Sequence, residues 1–123
     1  MLALPAKTRT FEVLPPIRDT PGYRVVRGNP IPSIRFEIGE ANSMIRTGYW
    51  ACTAGAFECT EAGDELQTLL KGRLKIVESD GTEHVFAAGD SFFTRKGEVV
   101  VWDVLEDVEK IFFTYIDDGD DNR

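Results

Sequence analysis

The spacing of short strand-forming runs is the feature that most restricts the fold of this chain. Runs rich in Val, Ile, Phe, Tyr and Trp recur about every ten residues, and glycines separate them. No longer window keeps an apolar stripe at helical spacing with a good N-terminal cap. Regular spacing of this kind indicates an antiparallel β-sandwich or β-barrel.

About eight strands are predicted from alternation and turn residues. The segment 64–72 fits either a short helix or a strand, because it is short and bounded by glycine. Asp80-Gly81 predicts a hairpin turn, since both residues tolerate a positive φ. The predicted strands are 33–40, 46–54, 56–61, 72–79, 82–88, 89–97, 98–104 and 109–116.

Three regions are expected along the chain. Residues 1–32 are rich in Pro and Gly and are predicted to form an extended N-terminal arm with turns. Residues 33–116 form the single barrel, and the acidic residues 117–123 form a disordered tail. The 123 residues are enough to bury one hydrophobic core.

Composition narrows the possible partners. The net charge of −7 argues against nucleic-acid binding, which requires clustered Lys and Arg. No apolar run approaches the roughly 20 residues that span a membrane, and MLALPAKTRT is interrupted too soon to be a secretory signal. We therefore expect a cytoplasmic protein in which Cys52 and Cys59 are free, buried thiols.

Three sequence motifs occur in a defined order. They are W-x-C-x-x-G at 50–55 followed by Glu65, a D-G turn leading into F-x-A-G-D at 86–90, and G-x-x-x-x-W at 97–102 followed by Lys110. Together they resemble the cupin superfamily over residues 28–116. Within it they are most similar to the small subgroup related to the cupin domain of (S)-ureidoglycine aminohydrolase. The resemblance implies a cupin-type double-stranded β-helix, an antiparallel jelly-roll barrel with a pocket in its mouth.

The resemblance also bears on metal binding. A metal-binding cupin carries two histidines and a glutamate in its first motif and a third histidine in its second. In this register Glu65 keeps its position, whereas Cys59, Glu61 and Val100 stand at the histidine positions. The single histidine, His84, lies away from both motifs and is expected on an exposed strand. We expect no tight metal site and no cofactor; the alternative is a weakly held divalent metal such as Mn, Zn or Ni.

Charged and aromatic residues supply the other site candidates. An inward Glu65 needs a partner, and we predict an ion pair with Lys110. Glu61 either faces the pocket as a second carboxylate with a raised pKa or turns to solvent at the strand end.

The two tryptophans are interpreted in two ways. Trp50 and Trp102 either fill the core or form an aromatic wall for a ligand, to which Phe57 and Tyr115 would add. Such a wall beside carboxylates would suit a small cationic or hydroxylated molecule.

The function that follows is a small-molecule-binding cupin of unknown substrate that lacks a tight metal. The alternative is an aminohydrolase-like enzyme that acts on a small amide, amino-acid or sugar derivative through Glu61 and Glu65, with or without metal. A third possibility is a structural role in which the N-terminal arm exchanges with a partner. We expect a homodimer, because dimerisation covers unpaired strand edges.

Overall fold

The computed structural model describes residues 1–6 and 10–117. Within them lie nine β-strands, one 3-10 turn at Ile17–Asp19 and no α-helix. Every strand pairing is antiparallel, which confirms the predicted all-β, cupin-type fold class. The strands are β1 (Glu12–Val13), β2 (Arg24–Gly28), β3 (Pro32–Ile38), β4 (Ile45–Cys52), β5 (Gly55–Thr60), β6 (Asp64–Glu78), β7 (Glu83–Ala87), β8 (Ser91–Thr94) and β9 (Val99–Tyr115).

Strand β9 organises the barrel because three long strands pair with it. Its first half pairs with β5, its second half with β4, and almost its whole length with β6. The sheet order is β1-β3-β4-β9-β5-β2, and β7 and β8 attach to β6. The sheet therefore curls around one interior, which side chains of β4, β5, β6 and β9 share.

Two strands are longer than the sequence predicted. The segment 64–72, which fitted a helix or a strand, continues into the predicted strand 72–79 as β6. The strands predicted at 98–104 and 109–116 are likewise one strand, β9. Strands β6 and β9 pair with each other. Their backbone hydrogen bonds therefore continue through regions where the alternation of apolar residues is interrupted.

Gly72 lets β6 bend without ending. Its φ is +87°, and a Cβ there would lie 2.2 Å from the carbonyl oxygen of Asp107 on β9. Register shifts between Leu69 and Leu74 reverse the inward parity of the strand at this point. This reversal broke the alternation that would have marked 64–78 as a single strand.

The core runs along the inner faces of these long strands. Leu69, Leu74 and Val104 are fully buried, and Val108 is 1% exposed. Polar side chains also lie inside, and Gln67 is 1% exposed.

The segment 1–32 contributes two strands to the same sheet. Strand β1 pairs with β3 and β2 pairs with β5. Between them Ile17 is 3% exposed, and its N–H donates to the Pro30 carbonyl at 3.1 Å. Residues 118–123 of the predicted tail lie outside the described residues. Among the residues that are described, no helix has the length and apolar character that a membrane crossing requires.

Candidate functional site

A large cavity lies inside the curled sheet. Its volume is about 650 Å³, within the range typical of small-molecule pockets. The inner faces of β3, β4, β5, β6 and β9 form its floor and walls, and residues 12–23 contribute to its rim. The pocket therefore combines the barrel with the segment that precedes it.

Aromatic rings line one wall of this cavity. Trp50 on β4 and Trp102 on β9 meet edge to face with centroids 5.6 Å apart. Phe57 on β5 is parallel to Trp102 at 6.3 Å, because the two residues are cross-strand partners in register. Tyr23, just before β2, contacts Phe57 at 5.7 Å. Trp102 is part of the core, since it is 4% exposed, and both tryptophan rings also line the cavity.

The predicted ion pair between Glu65 and Lys110 is present. Lys110 Nζ lies 2.6 Å from Glu65 Oε2, and the lysine also donates to the amide oxygen of Gln67. Thr114 donates to the other Glu65 oxygen at 2.9 Å, and the Gln67 amide nitrogen donates to Thr94 at 3.1 Å. Each charged atom therefore has polar partners, as a buried pair requires.

The same ammonium faces the aromatic wall. Lys110 Nζ lies 4.9 Å from the centroid of the Trp50 ring and 4.5 Å from that of Trp102. Both distances fall within the range of cation–π attraction. With only 5% of the residue exposed, Lys110 is enclosed by carboxylate, amide and indole groups.

Glu61 is directed into the pocket by Trp102. The indole Nε1 donates to Glu61 Oε1 at 3.0 Å, and Cys59 Sγ lies 3.7 Å from the same oxygen. Backbone hydrogen bonds with Gly97 and Glu98 hold the residue at the end of β5. Of the two orientations that the sequence allowed, the structure shows the inward one.

The environment of Glu61 favours its neutral form. Burial raises the pKa of the carboxyl above its ordinary value, and the nearby Glu65 charge adds to the increase. The Trp102 hydrogen bond and the Lys110 charge act in the opposite direction without cancelling it. Desolvation dominates because the neutral acid loses less by leaving water than the carboxylate does.

The cysteines are buried and free. Burial raises the pKa of the Cys59 thiol, and the neighbouring Glu61 raises it further. Burial likewise raises the pKa of Cys52 to about 12. Both side chains are therefore thiols at neutral pH, and Cys59 does not supply a thiolate to the pocket.

The donors at the motif positions do not fit the metal site of a histidine-bearing cupin. Val100 is 3% exposed and has no donor atom, Cys59 is protonated, and Glu65 is bound to the ammonium of Lys110. A cation ligand set would instead need several deprotonated donors around an open position. Within residues 1–6 and 10–117, no three His, Cys, Asp or Glu side chains are arranged to hold a metal ion.

Two residues considered from the sequence lie outside the pocket. Tyr115 is 41% exposed and has the outward parity of β9, so the suggestion that it adds to the aromatic wall is wrong. His84 is an exposed strand residue, as predicted, and its Nε2 lies 2.6 Å from Glu78 Oε2.

Sequence reasoning missed two residues that line the pocket, Arg46 and Tyr23, and one that bonds Lys110 beside it, Gln67. Arg46 shares the inward parity of Trp50, and Gln67 shares that of Glu65, so parity alone could have found them. Tyr23 gave no such signal, because its position depends on how the N-terminal segment packs. Although 41% of Tyr23 is exposed, burial of its phenol raises the pKa to about 12, so the hydroxyl remains a hydrogen-bond donor.

Comparison with solved structures finds several proteins with a similar fold. The Clostridium difficile EutQ protein is 22% identical, with a TM-score of 0.63 over 72% of this chain and 71% of that one. A Pseudomonas syringae protein of the DUF861 family is 20% identical, with a TM-score of 0.72 over 89% of this chain and 46% of that one. A DUF861 family protein from Thermotoga maritima is 21% identical, with a TM-score of 0.54 over 67% of this chain and 99% of that one. These likenesses concern the fold alone.

The family follows from a separate comparison. No curated protein matches the chain. The model of the EutQ-like cupin domain matches residues 39–112, which is more than half of the sequence and includes both tryptophans, Glu61, Glu65 and Lys110. The chain therefore belongs to the family of EutQ-like cupin domains.

Proposed function

We propose that this protein binds a small organic molecule in the barrel pocket and holds no tight metal there. The observation that carries the proposal is the meeting of an aromatic wall with a cluster of enclosed polar groups in one cavity of about 650 Å³. Apolar walls supply affinity through burial, and a few fixed polar groups supply orientation. The apolar wall is formed by Trp50, Trp102 and Phe57, and Glu61 is one of the fixed polar groups.

Mass spectrometry of the purified protein under native conditions tests the binding. We expect a small molecule to remain bound and to be released on denaturation. Trp50→Ala removes one ring of the aromatic wall and should lower the amount of bound small molecule about tenfold. Tyr115→Ala is the matched control, because its ring lies outside the pocket. Equal retention by the two variants would place the ligand elsewhere.

Elemental analysis tests the metal-free part of the proposal. We expect Mn, Zn and Ni to be well below one ion per chain after purification without chelators. Glu65 keeps the glutamate position of the metal motif, and its carboxylate is held inside the barrel. Stoichiometric metal that disappears in Glu65→Gln would contradict the proposal.

A second candidate is an enzyme that acts on a small amide, amino-acid or sugar derivative. The raised pKa of Glu61 favours it, because a carboxylic acid that keeps its proton nearer neutral pH can act as a general acid. The aminohydrolase-like resemblance points to the same substrates. Turnover of such a compound that is lost in Glu61→Gln and partly kept in Glu61→Asp would establish the enzyme.

We also propose that the protein is a homodimer. In the described residues β7 and β8 each pair with β6 alone, which leaves strand edges for a second copy to cover. Strands β1 and β2 pair within their own chain, so this dimer needs no exchange of the N-terminal segment. Light scattering at micromolar concentration should give twice the chain mass; a monomer would contradict the proposal.

A further inference from the structure

A row of apolar side chains crosses the outer surface of the barrel. Phe93 on β8, Leu66 on β6 and Phe113 on β9 lie side by side, because they are cross-strand partners in register. Thr47 on β4 and Ile38 on β3 continue the same row. We define the apolar face as the residues of these two rows that are 41–53% exposed, namely Ile38, Ile45, Leu66, Phe93, Phe113 and Tyr115.

Strand alternation separates the apolar face from the pocket. Glu65 and Gln67 flank Leu66 and point into the barrel, where both bond the Lys110 ammonium. Thr114 follows Phe113 and donates to Glu65 on the same inner side. Because successive side chains of a strand point to opposite faces, Leu66 and Phe113 cannot reach the core or the pocket. The apolar face therefore needs an explanation other than ligand binding in the barrel.

The apolar face is large enough to form the centre of a stable interface. Six half-exposed side chains of this size present roughly 600 Å² of surface. The largest patch on a typical monomer is about 300–600 Å², and each partner in a stable complex buries about 800 Å². The size of the face therefore fits a protein partner.

The chain covers only the neighbouring part of this side of the sheet. Tyr49 is 0% exposed, because its hydroxyl donates to the Pro5 carbonyl at 2.6 Å and Phe11 stacks on its ring at 6.4 Å. The two segments outside the described residues, Lys-Thr-Arg at 7–9 and Asp-Gly-Asp-Asp-Asn-Arg at 118–123, contain no apolar side chain. A cover for the apolar face would therefore come from another molecule.

Exposed residues of opposite charge lie at the two ends of the apolar face. Glu40 follows β3 and Arg95 follows β8, and neither forms an ion pair within residues 1–6 and 10–117. The other charges at its border have partners, since Asp64 accepts a backbone N–H of the loop after β8 and Arg35 pairs with Glu37. A surface that is positive at one end and negative at the other is complementary to a second copy of itself.

We propose that a second copy of this chain packs on the apolar face. A two-fold axis parallel to the strands would place β9 of one copy over β9 of the other and bring Arg95 of each copy to the partner's Glu40. Two sheets stacked about 10 Å apart and within about 30° of each other bury both inner surfaces. This inference rests on the proposed homodimer and assigns its contact to the sheet face that includes β8, not to the edge of β7.

Sedimentation velocity of the full chain over a range of concentrations measures the dimer dissociation constant. Phe93→Glu introduces a charge into the apolar face and should raise this constant at least about a hundredfold. Val85→Glu is the matched control, because Val85 is 56% exposed on β7 and lies outside the face. It should change the constant by no more than about twofold. Both variants should keep the far-ultraviolet circular dichroism of the wild type, since each replaces an exposed side chain.

Charge reversal tests the orientation of the two copies without altering the apolar residues. Arg95→Glu and Glu40→Arg each bring like charges together in the proposed dimer, so each should raise the dissociation constant about tenfold. The double variant Arg95→Glu/Glu40→Arg restores opposite charges at both ends and should return the constant to near the wild-type value. A double variant that is as weak as either single variant would overturn the proposed orientation.

The outcomes distinguish this inference from the homodimer on which it rests. A wild-type dimer that Val85→Glu weakens at least as much as Phe93→Glu would overturn the apolar face as the contact and leave the homodimer intact. A dimer that neither variant weakens would have the same consequence. A wild-type chain that stays monomeric at micromolar concentration would overturn both, while the native mass measurement decides small-molecule binding independently.

Discussion

Lys110 Nζ lies 2.6 Å from Glu65 Oε2 inside the barrel, where the two side chains are 6% and 16% exposed. Glu65 is the one residue that keeps the carboxylate position of the cupin metal motif. Its partner here is an ammonium supplied by the last strand. The pocket therefore carries its own fixed cation, and that cation organises Glu65, Gln67 and both indole rings.

Removing the Lys110 ammonium should lower the free energy of unfolding. Lys110→Met leaves the Glu65 carboxylate buried without its counter-charge and the Gln67 amide oxygen without a donor, so we expect unfolding free energy to fall by about 3–5 kcal/mol. Lys71→Met is the control, because Lys71 is 63% exposed in its pair with Glu109 and should matter by at most about 1 kcal/mol. Urea unfolding measures both values.

The double variant Lys110→Met/Glu65→Gln separates lost charge pairing from lost packing. Neutralising the orphaned carboxylate should restore part of the stability, since the remaining groups are uncharged. A double variant that is less stable than Lys110→Met would show that the lysine acts through packing alone.

Ionisation of Glu61 should make the fold less stable as pH rises. Its folded pKa is raised by burial above the unfolded value. Between those two values the folded state binds more protons than the unfolded state, so the stability conferred at low pH is lost as pH rises through the folded pKa. The stability of the wild type relative to Glu61→Gln should fall with rising pH above about 4.5.

Urea unfolding at several pH values measures this trend in both proteins. Glu58→Gln controls for the loss of one carboxylate, because Glu58 lies on β5, three residues before Glu61, but faces outward and pairs with Arg24. A constant difference between wild type and Glu61→Gln across the pH range would contradict the prediction.

The two thiols should react only when the barrel opens. Cys59 is 7% exposed and Cys52 is 2% exposed, and burial raises the pKa of each. Alkylation by iodoacetamide should be at least about a hundredfold slower in the folded protein than in urea, because both access and thiolate fraction are reduced. Mass spectrometry of labelled peptides measures each site, and rapid native labelling of Cys59 would contradict the expectation.

Gly72 should be intolerant of a side chain. Gly72→Ala would place a methyl group 2.2 Å from the Asp107 carbonyl oxygen at a φ of +87°, so we expect a loss of about 2–4 kcal/mol. Gly81→Ala is the matched control, because φ is +92° and nothing lies within 4 Å of the added atom. It should lose only about 1–2 kcal/mol, the cost of the backbone conformation. Equal losses would show that the crowding at Gly72 relaxes freely.

The fold was largely predictable because most strands alternate cleanly and end at glycines. The prediction was less successful at 64–78, since register shifts between Leu69 and Leu74 reverse the inward parity and imitate a break. The join between 98–104 and 109–116 was missed for a different reason: residues 105–107 are exposed and interrupt the apolar alternation, although the inward parity of β9 does not change. The length of both strands depends on the long-range pairing between β6 and β9, and no local sequence pattern indicates that pairing.

The site was predictable where one residue required another. A buried Glu65 needed a cation, and Lys110 had the right charge at a position where the resemblance also implies a lysine. Parity could also have included Arg46 and Gln67, which lie outside the motif positions. Tyr23 could not have been found, because its place beside Phe57 depends on the path of the chain before β2.

Several residues between 12 and 23 line the pocket, yet the family match covers only residues 39–112. Two EutQ-like cupins could therefore agree at every matched position and still differ in the shape of this cavity, because part of its lining is encoded upstream of the matched residues. Exchanging this segment between related chains would replace that part of the lining and leave Glu61, Glu65 and Lys110 in place.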